Sequence, residues 1–108
     1  MKAAVRALAA GLLSLLATMA SAAPEAAPIE AATYNLRLNL ASDGANAWPK
    51  RREMVKSLVS YHRFDLIGTQ EGLFSQLKDI AAGQPAYEWS GAGRGGGSRG
   101  EFMALVYR

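Results

Sequence analysis

Asn35 and Glu71 stand where two short β-favouring stretches end, and their side chains could together hold a cation. A carboxylate and a neutral amide oxygen make a hard, incompletely filled oxygen set. Such a set suits magnesium, which keeps several waters and takes a substrate phosphate oxygen. The same two residues have a plainer use: Asn35 can cap a turn, and Glu71 can cap the helix that follows it. On the residues alone both uses stand. The stretch 91–100, with six glycines, invites a third chemical reading as a phosphate-cradling loop. It lacks the Gly-Lys-Ser/Thr ending and leads into a strand instead of a helix, so a nucleotide P-loop is excluded. A mobile hairpin loop is expected instead, with Arg94 or Arg99 reaching a substrate phosphate as the alternative. His62, the single histidine, falls between Tyr61 and Arg63 at the end of a helical pattern. It is read as a partly exposed helix-end residue and not as a catalytic base.

The elements that must position these residues follow from local pattern. Residues 32–37 favour a strand, and the polar run 39–46, with its Ser42-Asp43-Gly44 turn signal, favours a loop. From Pro49, whose fixed φ suits a first helical turn, Met54, Val55, Leu58, Val59 and Tyr61 predict an amphipathic helix. Residues 64–70 then form a short apolar run, as expected of a buried strand after a crossover. A right-handed crossover makes the two strands parallel and puts Asn35, Arg37 and Glu71 on one sheet edge, where open α/β sheets bind ligands. Leu73, Leu77, Ile80 and Ala81 predict a second helix, with Gly83 beyond it as a cap. Residues 87–90 and 101–108 read as strands paired in a hairpin around the glycine-rich loop. Trp48 is read as core packing and Arg51 as an ion-pairing residue at the helix start, while Asn46 is left between an N-cap and a loop contact.

Lys2 and Arg6, an Ala/Leu-rich run and Ala20-Ser21-Ala22 have the layout of a secretory signal peptide. The expected organisation is a signal peptide over 1–22, a linker over 23–31 and a folded portion over 32–108. Cleavage after Ala22 implies a secreted or periplasmic protein with no transmembrane segment left. With no cysteine, an exported domain depends on its core and not on disulfides. The chain carries twelve basic and nine acidic residues, and removing Lys2 and Arg6 leaves ten against nine. A strongly cationic nucleic-acid surface is therefore absent from the sequence, which argues against duplex DNA as the substrate. The strands and helices would leave apolar surface uncovered, so a truncated domain is expected.

Four ordered motifs carry a resemblance: Thr33-Tyr34-Asn35-Leu36-Arg37, then residues 43–51 from Asp43 to Arg51, then Asp65-Leu66-Ile67-Gly68-Thr69-Gln70-Glu71, and Gly100-Glu101-Phe102 with Tyr107-Arg108. Together they resemble the opening motifs of the endonuclease/exonuclease/phosphatase superfamily, in the flavour of its secreted bacterial hydrolases. The resemblance implies an α/β fold, the N-terminal part of a four-layered, deoxyribonuclease-like α/β sandwich. It implies a metal-dependent phosphoester hydrolase using magnesium, or manganese as an alternative. Asn35 and Glu71 would hold the metal and phosphate, and Glu101 would orient a catalytic histidine. The substrate would be a phosphoester of nucleic acid, a phospholipid head group or a sugar phosphate, with no stable protein partner implied. The superfamily's later Asp-x-Asn, His and Ser-Asp-His motifs do not occur in these residues. The 108-residue chain alone is therefore expected to be inactive, and a non-catalytic binding module or pseudoenzyme fragment is the alternative.

Overall fold

A computed structural model describes residues 22–108; residues 1–21, and with them nearly all of the expected signal peptide, lie outside the described residues. Strand β1 (Ala31–Asn35) is followed by tight 3-10 turns over Ala41–Asn46 and helix α1 (Trp48–His62). Then come β2 (Leu66–Gln70), β3 (Gly72–Leu73), α2 (Phe74–Ala81), β4 (Glu88–Ser90), β5 (Glu101–Phe102) and β6 (Leu105–Tyr107). Four strands make one sheet in the order β1-β2-β6-β4, and β3 and β5 make a second, two-stranded one. β1 and β2 are parallel, with Asn35 opposite Gln70, so the expected strand–helix–strand crossover is present. Glu30, at the end of the expected linker, is already tied to the sheet: its carbonyl accepts the Asp65 N–H at 2.7 Å. Among the described residues no helix is long and apolar enough to cross a membrane.

The core lies between the four-stranded sheet and the two helices. Leu36, Ile67 and Val106 from the sheet side meet Trp48, Val55 and Val59 of α1 and Leu77 and Ile80 of α2, all almost fully buried. Burying one such aliphatic side chain stabilises the fold by about 1.5–3 kcal/mol. Of the apolar positions expected to face the core from α1, however, only Val55 and Val59 do so. Met54, Leu58 and Tyr61 are 62%, 38% and 82% exposed. At about 100° per residue, positions 54, 58 and 61 form one stripe, while 48, 55 and 59 form another beside it. Trp48, the largest of the six, takes the sheet-facing stripe and turns the other outward.

The expected strand over 101–108 is two strands with a break at Met103-Ala104. β5 pairs antiparallel with β3 in the small sheet, and β6 pairs antiparallel with both β2 and β4. Thr69 marks the change of partner, since its N–H and its hydroxyl both donate to the Ala104 carbonyl, at 2.8 and 3.0 Å. Phe102, Ala104 and Val106 are nevertheless all buried, so the side-chain alternation runs through the break while the hydrogen-bond partners switch. The expected hairpin is therefore formed by β4 and β6, with Trp89 opposite Val106. No helix among the described residues covers the second face of the large sheet, where Leu105 is 41% exposed. The fold shown is a mixed α/β unit with helices on one face.

Candidate active site

Residues that follow β1 and β2 meet at one end of the large sheet. Asn35 closes β1, and its side-chain amide donates to Glu71 Oε1 at 3.0 Å. Its amide oxygen is used in the other direction and accepts the Arg37 N–H at 2.9 Å. The backbone donor fixes which end of the amide is which, because only the oxygen can accept it. In this geometry Asn35 presents N–H to the Glu71 carboxylate and sets its orientation. Gln70 supports the arrangement from β2: its side chain donates to the Thr33 hydroxyl at 3.0 Å, joining the two strands just before they end.

The backbone at this edge is unusual in the same place. Arg37 and Glu71 have φ of +55° and +57°, and neither is a glycine. Left-handed backbone costs a side-chain-bearing residue about 1 kcal/mol or more, and such residues concentrate at binding and catalytic sites. Surrounding contacts hold the turn open. The Arg37 carbonyl accepts from Gln76 Nε2 at 2.8 Å and from Arg51 Nη2 at 3.4 Å, and the Leu36 carbonyl accepts from Arg51 Nη1 at 3.1 Å. Gln76 is fully buried, and its amide oxygen accepts the Leu73 N–H at 2.9 Å, one of the orphan donors at the start of α2.

Arg51 thus departs from the ion-pairing role expected of it. Its guanidinium caps the carbonyls of Leu36, Arg37 and Asn46, and lies 5.5 Å from the centre of the Trp48 ring. Carbonyls just past a strand end have no ladder partner, and a fork of five donors can satisfy several at once. Asn46 joins as a loop contact through its carbonyl, since the residue before α1 is Ala47 and no side chain caps that helix. Trp48 is core, as expected, and its indole N–H donates to Asp79 Oδ2 at 2.8 Å, tying α1 to α2.

Sequence pattern places Arg37 at this edge and Asp43 in a turn signal without joining them, and the structure pairs the two. Arg37 Nε and Nη2 donate to the two Asp43 carboxylate oxygens, each at 3.0 Å. The hydrogen bonds from Arg37 hold the Asp43 carboxyl below the ordinary carboxylate range. Charge spacing across a turn-forming loop, six residues from Arg37 to Asp43, was the available signal. For Gln76 it was a glutamine three residues into a helix, the second half of a capping box.

Glu101 opens β5, half-buried, and pairs with Leu73, two residues along from Glu71. It shares a cleft of about 230 Å³ with Ala92, Arg94 and Met103. The glycine-rich loop beside it is built from turns: the N–H groups of Gly93, Gly95, Gly96 and Arg99 donate to loop carbonyls, and that of Arg94 donates to the Glu101 carbonyl. Glycine is required at 93, because a Cβ there would lie 1.9 Å from the Arg99 carbonyl oxygen. His62 lies away from this edge, exposed at the end of α1, with its ring stacked on Phe64 at 5.1 Å. Among the described residues, no three or more His, Cys, Asp or Glu side chains converge to hold a metal. On the chemistry of the donors, the oriented Glu71 carboxylate is the group suited to a hard cation.

No family model matches the chain, and no curated protein matches it significantly. Solved structures do. An endonuclease/exonuclease/phosphatase from Bacteroides vulgatus is 38% identical with a TM-score of 0.68, over 70% of this chain and 30% of its own. A mannosyl-6-phosphatase from Bacteroides thetaiotaomicron is 40% identical with a TM-score of 0.71, over 75% of this chain and 32% of its own. A further family protein from the same organism is 41% identical with a TM-score of 0.70, over 74% of this chain and 31% of its own. The chain therefore spans about a third of the length of these proteins. With both the fold and close to two residues in five shared over most of its described length, the chain belongs to the endonuclease/exonuclease/phosphatase family.

Proposed function

We propose that these residues form part of a magnesium-dependent phosphoester hydrolase, and that the Asn35–Glu71 pair is its metal-side half-site. The observation that carries this is the 3.0 Å hydrogen bond that aims the Glu71 carboxylate at the C-terminal end of two parallel strands. Glu71 would hold the cation, and Asn35 would fix the carboxylate. When bound, magnesium would neutralise phosphate charge and polarise a phosphoryl oxygen. Around it the chain's own residues supply position: Asn35 holds the carboxylate rotamer, and Gln76 and Arg51 hold the turn beneath. Glu101, on the neighbouring strand pair, would orient a histidine contributed from outside these residues. Phosphomonoesters of sugars are the substrate class to test first, because one similar solved structure is a mannosyl-6-phosphatase. The near-neutral charge balance of residues 23–108 also suits a small substrate better than duplex DNA. Export of the protein, secreted or periplasmic, remains part of the same proposal.

The test is hexose 6-phosphate hydrolysis by the intact protein, with chelator and then with magnesium restored. Activity should vanish with chelator and return with the metal. Glu71→Gln should lose about 10²-fold or more of it, the usual scale for removing one group that stabilises transition-state charge, with an unchanged thermal midpoint. Full activity in that variant would show Glu71 to be a structural residue.

A further inference from the structure

Building on the phosphoester reading, we infer that Arg37 is a phosphate-binding residue, its guanidinium presented at the site edge by a left-handed turn and steadied by Asp43. Three observations converge on it. The first is that its backbone is fully committed: the N–H donates to Asn35, and the carbonyl accepts from Gln76 and Arg51. The turn is therefore specified without any help from the side chain. Glycine would take φ of +55° without a steric penalty, so arginine stands where the backbone disfavours a side chain.

The second is that stability does not account for the side chain. It is 53% exposed, and a single ion pair so placed adds little to folding. The third is the donor geometry. A guanidinium carries five N–H donors, and Asp43 takes one from Nε and one from Nη2, which leaves three, two of them a parallel Nη1–Nη2 fork that suits an anion. Asp43 locks the rotamer and so lowers the ordering cost of binding. The group also lies close enough to Glu71 for that charge to act on it. A cation held at Glu71 and a guanidinium at Arg37 would flank one phosphoryl group, and the fork would take its nonbridging oxygens.

Arg37→Gly separates this role from a structural one. In the intact protein its thermal midpoint should equal or exceed that of the wild type, because backbone strain is relieved. Binding of inorganic phosphate, measured by calorimetry with magnesium present, should weaken 10-fold or more, and KM for a hexose 6-phosphate should rise by a similar factor. Arg37→Gln, which keeps a side chain but removes the charge, should behave likewise. Arg37→Lys should fall between, since it restores charge without the fork. Wild-type phosphate affinity in both Arg37→Gly and Arg37→Gln overturns this inference and leaves the metal-site reading intact. A marked loss of midpoint in Arg37→Gly also overturns it, by showing the side chain to be structural. A wild-type protein that neither binds phosphate nor hydrolyses any phosphoester overturns both.

Discussion

At the end of the sheet where β2 begins, Asp65 accepts the Glu30 N–H at 2.9 Å and the Arg108 guanidinium, and the Tyr87 hydroxyl donates to the Phe64 carbonyl at 2.7 Å. Arg63, with φ of +53°, is also left-handed there, but it closes α1 by returning its N–H to Val59. At the opposite end, Arg37 and Glu71 are left-handed without ending any helix, and an Arg–Asp pair again stands beside them. Both ends use the same parts. At the first, every part finishes a strand or a helix, and the polar groups are consumed by the fold. At the second, Gln76 and Arg51 hold the backbone of the turn, while Asn35 and Asp43 each take only one edge of the Glu71 carboxylate and the Arg37 guanidinium, so part of each group's bonding capacity is left over. What separates a closing end from a candidate site is therefore where the hydrogen bonds land.

The strongest way to break this comparison is to remove the support under the site end. Gln76→Leu keeps the volume but orphans the Leu73 N–H and removes the closest donor to the Arg37 carbonyl. It should cost about 2–4 kcal/mol in denaturant unfolding, since each buried partner left unsatisfied costs about 1–3. A smaller effect is expected from Asn35→Ala, which leaves the core untouched and frees the Glu71 carboxylate to rotate. Hydrolysis should fall about 10- to 100-fold, the scale for losing a group that orients a metal ligand, and magnesium affinity should fall with it. Unchanged kinetics would reduce Asn35 to a turn cap.

The smallest change belongs to the closing end. The Glu30 N–H first, and then Arg108, hold the Asp65 carboxyl below the ordinary carboxylate range. A folded-state pKa below the unfolded one gives stabilisation that is present above the unfolded value, about 3.9, and is lost as pH falls through the folded one. Asp65→Asn should therefore flatten the fall of the thermal midpoint below about pH 4 and leave turnover at neutral pH unchanged. Lost turnover would mean that the two ends are coupled through the strands.

Much of this was legible in local pattern. Strand, helix, strand and helix follow from turn signals and apolar spacing, and the parallel pairing of β1 with β2 follows from crossover geometry. That alone places Asn35 and Glu71 on one edge. Arg51 departs from its expected ion pair because charge suggests an ionic partner, whereas its partners are carbonyls: that of Asn46 in the turn before the helix and those of Leu36 and Arg37 just past the end of β1. The outward stripe of Met54, Leu58 and Tyr61 was misread because five apolar positions on one helix exceed what a single face can bury, and periodicity does not rank them.

Residue type and order by themselves determined which groups could do chemistry and on which edge they would gather, because strand direction and side-chain alternation are short-range consequences of the chain. Which atom of Asn35 faces Glu71, the left-handed backbone at Arg37 and Glu71, and the split of residues 101–108 between two sheets were decided by tertiary structure. Each involves at least one partner brought in from more than thirty residues away, Glu71 for Asn35, Gln76 for the Arg37 turn and Thr69 for the Ala104 break, and long-range pairing of that kind leaves no local periodicity to read.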